Sequence, residues 1–432
     1  MNEIKIALLG LGTVGCGVVK ILQSHGAEMA ERAGCRLTLG RVADADLTRP
    51  REGLDLATLP LTADANQAID DPSVRIVIEL IGGLEPARTF ILKALQAGKH
   101  VVTANKALLA HHGAELFEEA RRSRVMLGFE AAVAGGIPLI RAVKDGLPAN
   151  RIRSAFGIVN GTCNYILSKM TDEGRDFGEV LKEAQAHGYA EADPTLDIEG
   201  LDSAHKLQIL ATLAFRTAVD LKDIYTEGIT AISQQDVINA GELGYRIKLL
   251  AIAKASEGAL EVRVHPTMIP AASPLAAVSG VFNAVFMTGD NVGNLMFYGR
   301  GAGQLPTASA VWSDALEIAR REAYGIPALE SDLPSLARHP LPLRPVDEIR
   351  SAYYLRVMAM DRPGVLAQVA GILGQNDISL VSVLQKERAR NEAVPVVMMT
   401  HEARERDMRA SLTAIDKLPV VASRSTMIRV EA

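Results

Sequence analysis

The stretch "IKIALLGLGTVG", residues 4–15, decides how the rest of the chain is read. The apolar run "IKIALLG" (4–10) reads as a buried strand, and Thr13 to about Gly26 reads as a helix. Gly10, Gly12 and Gly15 stand at this junction. In a strand–loop–helix context the first glycine permits a tight turn. The second lets a pyrophosphate approach the backbone, and the third lets helix and strand pack closely. Gly10, Leu11, Gly12, Thr13, Val14 and Gly15 are therefore candidate contacts for a dinucleotide, a plain βα turn being the alternative.

The segments that follow repeat the pattern. "CRLTLGRVAD" (35–44), "VRIVIELIGG" (74–83) and "KHVVTAN" (99–105) read as strands. The helical stretches 86–98 and about 107–123 come after the last two, and "VMLGFEAAV" (125–133) after those. Buried strands alternating with helices predict a doubly wound parallel sheet of the Rossmann type in an α/β fold, over residues 1–130. The long amphipathic helix at about 306–325 is able to pack back on it. At the end of the second strand, Arg41 suits a ribose 2′-phosphate and favours NADP, whereas Asp44 suits a 2′-hydroxyl and favours NAD. We read NADP in preference, with NAD as the alternative.

The middle of the chain, 131–305, has a different rhythm. Helices at 176–188 and 201–215 sit beside the strand-like "AVFMTGDNVGNLMFYG" (284–299). Five prolines between Pro327 and Pro345 predict a linker at 327–350. The remainder, 351–432, reads as strand, helix, strand, strand, helix, strand, a ferredoxin-like α+β unit.

Composition bounds the partners. The chain has 432 residues, 22% of them charged, and a net charge of −5. That balance argues against a nucleic-acid partner. Cys16, Cys35 and Cys163 have no paired spacing, so neither a disulfide framework nor a zinc site is expected. No apolar run approaches the roughly 20 residues that span a membrane, and the N-terminal run is too short for a signal peptide. These features predict a cytoplasmic protein without membrane partners.

Two lysines and an acidic stretch carry the chemistry. Lys106 lies just past the end of the fourth strand, the edge that faces the ligand crevice in an open parallel sheet; a solvated lysine at a helix start is the plainer reading. "GYAEADPTLDIEGLDSAHK" (188–206) holds Glu191, Asp193, Asp197, Glu199 and Asp202 before His205 and Lys206. Asp202 and Lys206 are four apart and share a helix face, which is the spacing of an ordinary surface pair. The acids precede the lysine, however, instead of alternating with basic residues along a helix. "EAAVAGGIP" (130–138) is a loop of small residues whose exposed carbonyls suit a hard cation. A tight strand-to-helix turn would look the same.

"GLGTVG", "TANK", "EAAVAGGIPLI", "NGTCNYIL", "GYAEADPTLDIEGLDSAHKL" and "GRGAGQLPTASA", in this order, resemble homoserine dehydrogenases from the start to about residue 325. "YYLRVMAMDRPGVLAQVAGILGQNDISLVSVLQ" (353–385) resembles an ACT regulatory domain. The resemblance implies NADP- or NAD-dependent interconversion of L-aspartate 4-semialdehyde and L-homoserine, in threonine, methionine and isoleucine biosynthesis. It makes 131–305 the substrate-binding, catalytic and dimerisation domain. Lys206 becomes the proton donor and acceptor, with Lys106 between cofactor and substrate. Glu191, Asp197 and Asp202 become ligands of the substrate ammonium, and Gly188 and Gly303 contacts of the nucleotide. The resemblance further implies a monovalent cation, sodium, on Glu130, Val133, Gly135 and Ile137, mostly through backbone oxygens. It implies a homodimer or homotetramer, and L-threonine as an effector at the turn Asp361–Gly364, with Asn376 offering its amide. Asp193 and Glu199 are expected to be solvated, and Cys163 and His205 carry no catalytic role. A silent amino-acid sensor and a different amino-acid dehydrogenase are the competing functions, and a pure pairing module is the competing role for the C-terminal unit.

Overall fold

The computed structural model describes residues 2–328, 335–386, 389 and 392–431. They fall into two compact units, each assembled from separate stretches: Met1–Arg153, His205–Leu221 and Asn283–Leu341, then Ser154–Ala204, Lys222–Phe282 and Pro342–Ala432.

The first unit begins with β1 (Asn2–Leu9), α1 (Thr13–Ala33), β2 (Cys35–Ala43), β3 (Leu61–Thr62) and α2 (Ala65–Asp70). It continues with β4 (Val74–Glu79), α3 (Ala87–Gln96), β5 (His100–Thr103), α4 (Lys106–Ser123), β6 (Leu127–Gly128) and α5 (Leu139–Arg141). The strands run in the order β3-β2-β1-β4-β5-β6, all parallel. This is the dinucleotide-binding order, and it reverses at β1, which places the ligand crevice beyond the C-terminal ends of β1 and β4. Ile6, Ala7, Leu8 and Leu9 have no exposed surface, because both faces of β1 are covered; hence the unbroken apolar run. α1 extends about two turns past the Gly26 expected from sequence. "AEMAERA" (27–33) is made of good helix formers, Met29, Ala30 and Ala33 are buried, and Gly34 ends the helix at φ 72°. β3 and α2 are too short to show as periodicity in the sequence.

The chain then supplies the second unit with β7 (Ile152–Ile158), α6 (Gly161–Glu173), α7 (Phe177–Ala186), α8 (Thr195–Ile198) and the start of α9 (Leu201–Phe215). The rest of α9 belongs to the first unit. β8 (Tyr225–Thr226), α10 (Gln234–Glu242), β9 (Tyr245–Ser256) and β10 (Ala259–Pro270) follow. β11 (Phe282–Gly289) and β12 (Gly293–Arg300) pair as neighbours and lead into α11 (Gln304–Ala323). α11 packs back on the Rossmann sheet as expected. Val311, Trp312, Ala315 and Ile318 share one core with Ile6, Leu8 and Ile76, and Trp312 Nε1 donates to Val18 O at 2.9 Å.

The last elements are β13 (Arg350–Met360), α12 (Val365–Gln375), β14 (Leu380–Leu384), β15 (Ala393–Thr400), β16 (Ala403–Arg404), α13 (Glu405–Ile415) and β17 (Thr426–Val430). They form the expected ferredoxin-like unit, with strand order β17-β13-β15-β14. β17 also pairs in parallel with β10, through Thr267–Arg429 and Met268–Val430, so the sheet of the second unit continues as β7-β9-β10-β17-β13-β15-β14.

Buried charges seal that join. Arg429, with no exposed surface, donates Nε to Glu405 Oε2 and Nη1 to Glu227 Oε2, both at 2.9 Å, and Arg263 pairs with Glu431. Arg356 holds Asp236 by two hydrogen bonds, 2.7 and 2.9 Å. Burial alone would raise the Asp236 carboxyl, but Arg356 and the Ser233 hydroxyl bring it below its ordinary value.

Residues 329–334 of the expected linker lie outside the described residues. Before β13, Arg344 N and Pro342 O bond to Leu260 of β10, each at 2.9 Å. Among the described residues no helix is long and apolar enough to cross a membrane. The three cysteines are buried thiols.

Candidate active site

In the glycine loop the packing explains two glycines and leaves the third to a ligand. A Cβ on Gly10 (φ 96°) would lie 2.6 Å from Leu80 O, and one on Gly15 would lie 2.1 Å from Gly10 O. A Cβ on Gly12 would meet nothing within 4 Å. Gly12 is also the N-cap of α1 and offers no side-chain cap, so the first N–H groups around Thr13 and Val14 are suited to an anion. Leu11 N donates to Asp44 Oδ2 at 2.6 Å, and Arg51 donates Nε to Leu11 O at 2.7 Å and Nη2 to Asp44 Oδ1 at 3.2 Å. Asp44 is thus committed to the loop and to Arg51, a residue the sequence reading passed over. Arg41 is exposed and makes one long contact, Nη1 to Gly40 O at 3.4 Å. Gly303 (φ 129°) is the N-cap of α11.

Lys106 opens α4, and its position is fixed from beneath by groups that periodicity cannot reveal. Glu79, with no exposed surface, ends β4 and accepts from Thr103 Oγ1 at 2.7 Å and from Ile81 N at 2.7 Å. Thr103 Oγ1 accepts from Asn105 N at 3.0 Å. Asn105 caps α4 through Leu108 N and donates Nδ2 to Gly83 O at 2.7 Å. One buried carboxylate therefore ties the ends of β4 and β5 together directly before Lys106. Lys206 is half-buried on α9, one residue before the buried Leu207. His205 stacks edge-on to His111 of α4 at 5.5 Å.

The turn after β6 has the features of a cation cradle. Glu130 is 2% exposed, and its two oxygens accept from Ile140 N at 2.9 Å and Arg141 N at 2.8 Å. Its own N–H donates to Asp314 Oδ2 at 2.8 Å. Burial, then the neighbouring Asp314, pushes the Glu130 carboxyl up to about 7, and burial pushes Asp314 up to about 6. Arg141, 3.5 Å from Asp314, offsets only part of this. Beside them Ala134 (φ 57°) and Gly135 (φ 47°) are both left-handed, an uncommon strain for alanine that turns the backbone sharply between Val133 and Ile137. Hard oxygen donors around under-compensated charge fit a monovalent cation.

In the second unit the acidic stretch is laid against the first turn of α6. Asn160, the N-cap of α6, donates Nδ2 to Asp197 Oδ1 at 2.7 Å and to Asp202 Oδ2 at 2.9 Å. Thr162 Oγ1 donates to Tyr189 O at 2.6 Å, and Cys163 Sγ to Asp197 O at 3.1 Å. Asp197 and Asp202 are thereby brought together. Glu191 is exposed, with its carbonyl accepting from Gln185 Nε2 at 3.1 Å, and Gly188 (φ 71°) follows the end of α7. Asp193 accepts from the hydroxyl and amide of Thr195, the first residue of α8, which lower its carboxyl, and Glu199 accepts from Thr230. These two acids have local structural partners.

At the other end of this unit, a cavity of about 230 Å³ lies at the turn Asp361–Gly364, lined by Val357, Ala359, Val369, Gln385 and Val396 as well. Asn376 is not part of it. It caps the far end of α12, an 11-residue helix, and donates Nδ2 to Ile372 O.

Residues 10–130 match the family model described as homoserine dehydrogenase, NAD binding domain, and residues 138–316 the one described as homoserine dehydrogenase. The chain belongs to the homoserine dehydrogenase family. Residues 353–420 match the ACT domain. The homoserine dehydrogenase of Pseudomonas aeruginosa is 46% identical over 100% of this chain and 99% of its own length, and that of Bacillus subtilis 41% over 100% and 99%. The crystal structure of a homoserine dehydrogenase from Thiobacillus denitrificans superposes with a TM-score of 0.93 at 47% identity, covering 100% of this chain and 99% of that one. A hyperthermophilic archaeal homoserine dehydrogenase in complex with NADPH superposes with a TM-score of 0.63 at 25% identity, over 73% of this chain and 97% of that one. The protein is accordingly an NAD(P)-dependent oxidoreductase of amino-acid biosynthesis that interconverts L-homoserine and L-aspartate 4-semialdehyde, with an ACT domain at its C-terminal end.

Proposed function

We propose that Lys206 is the proton donor and acceptor of this reaction, that Lys106 polarises the same oxygen, and that Glu191, Asp197 and Asp202 hold the substrate ammonium. When bound, the dinucleotide supplies or takes the hydride at the substrate carbon. In the reducing direction the aldehyde oxygen gains its proton from the Lys206 ammonium, which is left as a neutral amine. In the oxidising direction that amine takes the proton back from the hydroxyl. The observation that carries the reading is the convergence of Asp197 and Asp202 on one buried amide. Two anions brought together in a half-buried stretch suit a cationic group. Oxidation of NADPH by aspartate semialdehyde, followed by the absorbance of the reduced nicotinamide, tests it. Turnover with another oxo acid and none with the semialdehyde would overturn it.

NADP is the preferred cofactor in this reading. Asp44 is engaged by Leu11 N and Arg51, which weakens its case as a 2′-hydroxyl ligand, while Arg41 stands exposed at the end of the same strand. Sodium is the proposed occupant of the turn, held by Glu130 and the carbonyls of Val133, Gly135 and Ile137. When bound it supplies a positive charge beside Glu130.

L-Threonine is the proposed effector of the Asp361–Gly364 cavity, which has the volume for a small amino acid. Edge strand β14 exposes Val381 (58%) and Val383 (40%). An apolar edge of this kind supports pairing between two ACT domains in a homodimer or homotetramer. A cytoplasmic setting follows from the role in biosynthesis.

A further inference from the structure

We propose that Asn160 is a positioning residue of the substrate site, a neutral clamp that holds Asp197 and Asp202 at a fixed separation. The inference rests on the reading of those two acids as ammonium ligands and adds the group that makes a pair of them.

The hydrogen bonds leave Asn160 one orientation. Its Oδ1 accepts from Cys163 N at 2.8 Å, the capping bond of α6. The amide NH₂ therefore faces the two carboxylates, which can only accept. Flipping the amide would set its oxygen against two anions and its NH₂ against an N–H. Both hydrogens are used, one on each acid, and the side chain is 4% exposed. The two acceptor oxygens share one nitrogen, so they lie less than about 6 Å apart.

Two carboxylates this close would ordinarily share a proton, because like charges disfavour double ionisation. A donor that bonds the charged form of each offsets that repulsion and adds no positive charge of its own. A lysine or arginine in the same place would pair with the acids and compete with the substrate's ammonium. An amide holds each of them by one oxygen and brings no charge that would compete. The N-terminal end of α6, where backbone N–H groups point outward, adds a partial positive charge on the same side. The neighbouring bonds from Thr162 to Tyr189 O and from Cys163 to Asp197 O fix the loop that carries Asp197, so the geometry does not depend on the substrate.

The test separates the clamp from the helix cap. Serine and aspartate are both good N-caps. Asn160→Ser keeps an acceptor for Cys163 N but cannot reach two acids. Asn160→Asp keeps the cap and sets a third carboxylate against the pair. We expect both to fold, Asn160→Asp with the lower melting temperature because it adds a like charge beside the pair. The homoserine KM should rise ~10- to 100-fold in Asn160→Ser, the range for lost hydrogen bonds to charged groups, and further in Asn160→Asp. NADP KM should stay unchanged and kcat should change less than KM. A wild-type homoserine KM in either variant, or equal losses in the homoserine and NADP constants, overturns the clamp. Asp197→Asn and Asp202→Asn serve as the reference. If they leave the homoserine KM untouched, the ammonium reading itself fails. If they raise it and Asn160→Ser does not, only the clamp fails.

Discussion

Replacing Glu130 with glutamine removes one of two buried carboxyls that the fold holds above their ordinary range, and the effect on stability must depend on pH. Glu130 moves from 4.5 to about 7 on folding, chiefly because it is buried and secondly because Asp314 is beside it. An acid whose folded value is raised lends stability that is fully present below 4.5 and is lost as the pH passes 7. That shift corresponds to ~3 kcal/mol across the window. Glutamine has no such dependence. It keeps one acceptor for Ile140 N or Arg141 N and turns an NH₂ toward the other, a constant cost of about 1–3 kcal/mol. The assay is differential scanning calorimetry of both proteins at pH 5 and pH 8, in a buffer whose only cation is a bulky organic ammonium. The wild type should lose ~3 kcal/mol relative to the variant between the two conditions, about 6–12 °C for a unit of this size. Sodium chloride added at pH 8 should restore part of that loss in the wild type and none in the variant. A melting difference that is the same at both pH values would refute the reasoning about Glu130, and a sodium effect equal in both proteins would refute the cation site.

Lys206→Ala should lower turnover by ~10²–10⁴-fold with NADP binding unchanged in a fluorescence titration; turnover within a few-fold of wild type would refute its role. Arg41→Ala should raise the NADP KM more than the NAD KM, since a 2′-phosphate contact is charge-assisted, and equal effects on both cofactors would remove that assignment. Leu366→Trp, which obstructs the Asp361–Gly364 cavity from an exposed position, should abolish inhibition by threonine without changing basal activity. A chain stopped near residue 345 cannot serve that purpose: it would strip β17 from β10 and leave Asp236, Arg263 and Glu227 without Arg356, Glu431 and Arg429. Asp236→Ala, which leaves Arg356 half-buried without its partner, should cost about 3–5 kcal/mol in urea unfolding. A loss below about 1 kcal/mol would mean that the join between α10 and the C-terminal strands is held by packing alone.

What was legible in the sequence was whatever local periodicity and short-range spacing write into it. β1 and the glycine loop were readable because a strand covered on both faces must be apolar throughout, and because three of the loop positions tolerate no side chain or leave room for a ligand. α9 could be placed to the residue, since its apolar positions recur at helical spacing, and the ferredoxin-like order of the last eighty residues followed in the same way. The sequence also placed every candidate lysine and acid. It did not show what holds them. Glu79, Asn105 and Asn160 are single polar residues whose partners lie on other elements of the chain, and no period marks such a residue. The same holds for Arg429, buried by strands that meet only after β17 has paired with β10. The sequence read the last domain as a tethered module because its own core is self-sufficient. Tertiary structure alone decided that its edge strand completes a neighbouring sheet, since backbone pairing between β10 and β17 needs no distinctive side chains, and the buried ion pairs around it acquire their partners only once the two strands lie side by side.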